Sequence, residues 1–116
     1  MAEKNARRGS RADQARRHVE EMERRFSSEI ARCVADVRVY DGAPAPRVEG
    51  RLPEVCVAEQ DGVSAVLERG RGLASACDLA VLDFASFLYP GGGYDRGNWG
   101  QEQALCSASF LFNVLS

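Results

Sequence analysis

The sequence predicts an α/β layer fold with a long N-terminal amphipathic helix. Three observations carry this. Short apolar segments alternate with helix-period segments, an order that places helices on a sheet. Leu79-Ala80-Val81-Leu82 is apolar on consecutive positions, as in a strand buried on both faces of a parallel sheet. That strand, extended to Phe84, runs toward a triple glycine, Gly91 to Gly93, where an α/β sheet places its ligand.

The chain has 116 residues, room for one domain. A charged fraction of 28% and a hydrophobic fraction of 45% are ordinary for a soluble globular protein. A net charge of −2 gives no electrostatic reason for nucleic-acid or membrane binding. No apolar run approaches a membrane span, and the first residues lack the apolar core of a secretory signal. Cys33, Cys56, Cys77 and Cys106 form no Cys-x-x-Cys pair, and His18 is the one histidine, so no metal site is expected. Each cysteine has apolar neighbours, which predicts buried reduced thiols and a cytoplasmic protein.

Residues 1–9 are polar and basic and read as a disordered tail. Residues 10–36 read as a helix capped by Ser10, with Asp13 in its first turn. Ala12, Ala15, Val19, Met22, Phe26, Ile30 and Cys33 form its apolar stripe. Arg16, Arg17, Glu20, Glu21, Glu23, Arg24 and Arg25 form a solvated face of helix-spaced ion pairs. Without a sustained Leu or Ile heptad, the stripe docks on the domain in preference to a coiled coil.

Val37 to Tyr40 reads as a short strand and Asp41-Gly42 as a turn. Pro44 and Pro46 keep the next stretch extended. Glu54 to Ala58 reads as a second strand. Asp61 to Arg69 reads as a helix with Val63, Val66 and Leu67 facing inward, stopped by Gly70 and Gly72. Gln101 to Leu115 reads as the last helix, with Leu105, Phe110, Phe112 and Leu115 apolar.

Three glycines in a row cost backbone entropy on folding, which favours a ligand-contacting loop over a passive connection. A helix start just beyond them offers N–H groups and partial positive charge to a phosphate. The spelling excludes a P-loop, which needs Gly-Lys-Ser/Thr. It also excludes a dinucleotide fingerprint, which needs glycine where Arg96 stands. Asp83 reads as a ligand-orienting carboxylate or a strand-end cap. Glu102 reads as a ligand contact or a first-turn carboxylate favoured by the helix dipole. Tyr94 and Trp99 read as stacking surfaces or as packing for the loop.

Asp83-Phe84-Ala85, then Gly91-Gly92-Gly93, then Gln101-Glu102-Gln103 resembles the signature of microbial-type poly(ADP-ribose) glycohydrolases. Val81-Leu82 before it, and Ala104-Leu105-Cys106 and Ser109-Phe110-Leu111 after it, are similar too. Arg38-Val39-Tyr40-Asp41 and Glu54-Val55-Cys56-Val57 extend the resemblance faintly upstream. The resemblance implies a macrodomain-like three-layer fold over residues 37–116. It implies binding of ADP-ribose or poly(ADP-ribose) and hydrolysis of ribose–ribose O-glycosidic bonds, without metal or other cofactor.

By residue, the resemblance implies that Asp83, Gly91, Gly92, Gly93 and Gln101 bind substrate. Glu102 holds the ribose, and Gln103 occupies the catalytic position, where the family has glutamate. An amide cannot titrate, so impaired hydrolysis is expected. A non-catalytic ADP-ribose-binding module and a non-functional truncated product are the alternatives. The family's fold continues beyond the motif helix. The chain is therefore expected to be the N-terminal portion of such a domain, lacking a C-terminal half or self-associating.

Overall fold

The computed structural model describes residues 1–42, 49–50, 54–70 and 79–116. The expected extension at Pro44 and Pro46, the stop at Gly72 and the burial of Cys77 lie outside the described residues.

Helix α1 (Ala2–Asp36) begins at Ala2, not at Ser10, and no side chain caps it. Ser10 therefore lies inside the helix. Its exposed face carries helix-spaced ion pairs, Arg24–Glu21 and Arg25–Glu21 from the expected set and Arg7–Glu3 and Arg32–Glu29 beyond it. Such exposed pairs add little to stability, because solvent and salt screen them. The apolar stripe docks on the chain itself: Ala12, Ala15 and Ile30 are buried. The helix kinks at Phe26 (φ −129°, ψ 27°), where the ring meets Phe110 at 5.8 Å.

Helix α2 (Gly62–Gly70) is capped by Asp61, which accepts from Ser64 N at 2.9 Å and from Ser64 Oγ at 2.6 Å. The Ser64 hydroxyl, then its N–H, hold the Asp61 carboxyl below its ordinary range. Val63, Val66 and Leu67 line an apolar groove of about 290 Å³ with Leu105 and Leu111, although Leu67 stays 45% exposed.

Past Pro90, the chain makes a tight turn over Pro90–Arg96, the glycine turn, then helices α3 (Gln101–Ser107) and α4 (Leu111–Leu115). The single helix expected from Gln101 to Leu115 is therefore broken. Ser109 accounts for the break: its Oγ donates to Leu105 O at 2.8 Å and accepts from Leu111 N at 3.1 Å. A serine that satisfies the end of one helix and the start of the next competes with continuous helix.

No strand or sheet occurs among the described residues, so the α/β, macrodomain-like three-layer expectation is overturned for this structure. The segments read as strands are unpaired and largely exposed. Val39 is 87% exposed, Val57 96% and Leu82 73%. A strand is stabilised by its ladder to a neighbour, and none of these segments meets one. Near Leu82 the ladder's place is taken by one side chain. Gln101 Nε2 donates to Leu82 O at 2.9 Å, and Phe84 N donates to Gln101 Oε1 at 3.0 Å.

The core lies where α1, the glycine turn, α3 and α4 meet. Ala15, Tyr94 and Cys106 are buried there, with Val19, Leu111 and Phe112 packed around them. Tyr94 lies 5.7 Å from the Phe112 ring, centroid to centroid. Cys33 and Cys56 are exposed, against expectation, because neither faces this core; Cys106 is buried as expected.

Candidate functional site

The glycine turn is left-handed at three successive residues: φ is +65° at Gly91, +58° at Gly92 and +76° at Gly93. Residues with a Cβ rarely adopt such angles. Space enforces the same choice. A Cβ at Gly92 would clash with Gln103 Nε2 and lie 2.6 Å from Glu102 Oε2. The turn is thus pressed against the first residues of α3.

Those residues act as three separate anchors. Gln101 holds the backbone of Leu82 and Phe84, as described. Glu102 is 3% exposed, and its Oε2 accepts from Ser86 N at 3.1 Å. Gln103 is 7% exposed, and its Nε2 donates to Gly91 O at 3.3 Å and Gly92 O at 2.9 Å. Consecutive residues on a helix point in directions about 100° apart. Gln101, Glu102 and Gln103 can therefore reach three different points on the preceding chain.

All the residues expected to form the site are here, but their roles differ from a bare phosphate cradle. The carbonyls of Gly91 and Gly92 are occupied by Gln103, and Gly92 O also accepts from Asn98 Nδ2 at 3.0 Å. Two residues missed in the sequence belong to the same assembly. Ser86 donates to Glu102, and its Oγ accepts from Leu88 N at 3.2 Å, shaping the approach to the turn. Asn98 bridges the turn's two ends, since its N–H also donates to Gly93 O at 3.2 Å. A small polar residue beside each glycine or strand-end motif was the available signal for both.

Asp83 lines the apolar groove beneath α2, and its Oδ1 is buried without a hydrogen-bond partner among the described residues. Burial first, and the nearby Glu102 charge second, push its carboxyl above the ordinary 3.8. Burial, then Glu102 and Asp83, also push the Cys106 thiol up to about 12, so it stays a protonated, inert core group. A carboxylate whose folded pKa is raised stabilises the fold below its unfolded pKa. That contribution is lost as pH rises through the folded pKa. Asp83→Asn is therefore expected to raise the melting temperature relative to the native chain near pH 7, and to lose that advantage near pH 4. Melting curves at the two pH values check this.

Outside the glycine turn, α1 clamps its far end. Arg8 Nε donates to Arg96 O at 3.1 Å, Arg11 Nε to Gly97 O at 3.0 Å and Arg16 Nη1 to Asp95 O at 3.3 Å. Three guanidinium groups thus satisfy three successive carbonyls, the favourable sign for the carbonyl end of a turn. Gly97 lets the helix come this close, because a Cβ there would clash with Arg8 O and lie 3.0 Å from Ala12 N. Among the described residues, no His, Cys, Asp and Glu cluster is placed to hold a metal ion. No helix among them is long and apolar enough to cross a membrane.

The family described as "Microbial-type PARG, catalytic domain" matches residues 10–116, and the chain belongs to that family. At family level its function is that of a poly(ADP-ribose) glycohydrolase-like protein. No curated protein and no solved structure matches the chain.

Proposed function

We propose that this chain recognises ADP-ribose units of poly(ADP-ribose) through the glycine turn and Glu102, and hydrolyses the polymer poorly. The observation that supports this is the position of Gln103. Its amide is buried and engaged with the carbonyls of Gly91 and Gly92. Hydrolysis of a glycosidic bond needs a carboxyl group that delivers a proton and helps activate water. An amide does neither, so Gln103 shapes the turn without acting as acid or base. Glu102, apposed to Gly92 and holding Ser86 N, is the carboxylate nearest the turn and the one assigned to the ribose hydroxyls, and the unpartnered Asp83 Oδ1 is a second acceptor close by. A non-catalytic binding module is the second reading, favoured by the same engagement of Gln103. The free thiols of Cys33, Cys56 and Cys106 support a cytoplasmic setting for either.

Calorimetry with ADP-ribose and a chain-release assay on poly(ADP-ribose) test the proposal together. ADP-ribose is expected to bind more tightly than ribose 5-phosphate. Glu102→Gln is expected to weaken it roughly tenfold, the worth of one charge-assisted hydrogen bond. Polymer hydrolysis should be about 10²–10⁴-fold below that of a relative carrying Gln-Glu-Glu. Undiminished ADP-ribose affinity in Glu102→Gln would remove Glu102 from the site. Turnover matching the relative would show that another group supplies the acid.

A further inference from the structure

A second cavity, of about 290 Å³, lies between α1 and the segment that follows the glycine turn. Arg11, Gln14 and His18 line it from the helix, and Tyr94, Asn98 and Trp99 from the turn side. Asn98 is shared with the glycine-turn assembly and Tyr94 with the turn itself, but Asp83, Glu102 and Gln103 do not line it. We propose that this cavity is a separate nucleotide subsite that takes a nucleoside monophosphate.

Chemistry and size both point to that class. Arg11 uses Nε for Gly97 O. A guanidinium has five N–H donors, and its remaining fork suits a phosphate dianion. Trp99 is 64% exposed, so its indole face can receive a planar base by stacking. The side-chain amides of Gln14 and Asn98 provide donors and acceptors for a base edge or a ribose hydroxyl. Tyr94 is buried and meets His18 edge-on at 6.2 Å, which gives the cavity a fixed aromatic wall. His18 is itself held by its contact with Ser109 O at 2.9 Å. The volume lies at the lower limit of small-ligand sites, roughly 300 Å³, which suits one nucleotide and not two. Asn98 also donates to Gly92 O, so an occupant would touch the residue that closes the glycine turn.

The chain's one tryptophan is Trp99, so the fluorescence comes from a residue that lines this cavity. Titration of the native chain with AMP should change that fluorescence saturably. Adenosine or inorganic phosphate alone should need roughly tenfold higher concentration, since each lacks one half of the recognition. Arg11→Gln should shift the AMP midpoint by a similar roughly tenfold factor. Glu102→Gln should leave it unchanged, because Glu102 does not line this cavity. No saturable change with AMP, or equal midpoints for AMP and adenosine, would overturn the subsite without any variant. Loss of the AMP response in Glu102→Gln would instead place AMP at the glycine turn. That outcome overturns the second subsite while leaving the ADP-ribose reading standing.

Discussion

Gly92→Ala is expected to abolish ADP-ribose binding and to cost about 2–5 kcal/mol of stability. The estimate joins two effects: about 1–2 kcal/mol for a left-handed residue with a Cβ and about 1–3 kcal/mol for forced overpacking. The added methyl group meets Gln103 Nε2 and Glu102 Oε2 at once, so the carboxylate and the amide must both move. Gly42→Ala isolates the first effect. Gly42 has φ +64°, close to that of Gly92, but nothing lies within 4 Å of a Cβ there. Denaturant unfolding of the two variants should give a small loss for Gly42→Ala and a loss at least twice as large for Gly92→Ala. Equal losses would mean that the turn is not pressed against α3.

Gln103→Glu restores the family's Gln-Glu-Glu spelling and is expected to destabilise the chain near neutral pH. The amide's two donated hydrogen bonds disappear, and an ionised carboxylate would face the carbonyl oxygens of Gly91 and Gly92. Loss of hydrogen bonds at a buried site, with acceptors left facing a charge, costs about 2–4 kcal/mol. A protonated carboxyl can still donate one of the bonds, so the folded state favours the protonated form and raises the pKa of the new group. By the sign of linkage, the variant should approach native stability below about pH 4.3 and lose ground as pH rises. Melting temperatures of the variant and the native chain across that range test this. A pH-independent difference would show that the Gln103 amide does not face those carbonyls.

The parts of the structure that depend on local pattern were legible in the sequence. The spacing of Ala12, Ala15 and Ile30 identified the buried side of α1, because helix periodicity is a property of neighbours three and four apart. Gln101 stands at a helix start as read, and Glu102 and Gln103 lie against the glycines, while Asp83 lines the groove beneath α2. Strands were not legible in the same way. Leu79 and Leu82 have the composition of a buried strand, yet they are 48% and 73% exposed. Whether such a segment joins a sheet depends on a partner elsewhere in the chain, which its own residues do not specify. The break at Ser109 escaped notice because Phe110, Phe112 and Leu115 continue an apolar pattern across it. The roles of Ser86 and Asn98 rest on contacts between segments, which no spacing rule expresses.

The arginine clamp on the glycine turn has a consequence for the order in which the protein assembles. Its three bonds join residues 79, 86 and 88 positions apart. During synthesis α1 leaves the ribosome before the turn does, with its arginines and apolar stripe uncommitted. At roughly 5–20 residues per second, its partners follow about 4–18 s later. The helix can form within about a microsecond, so it spends that interval as a formed but undocked surface. The shape of the glycine turn is therefore completed by residues made well before it.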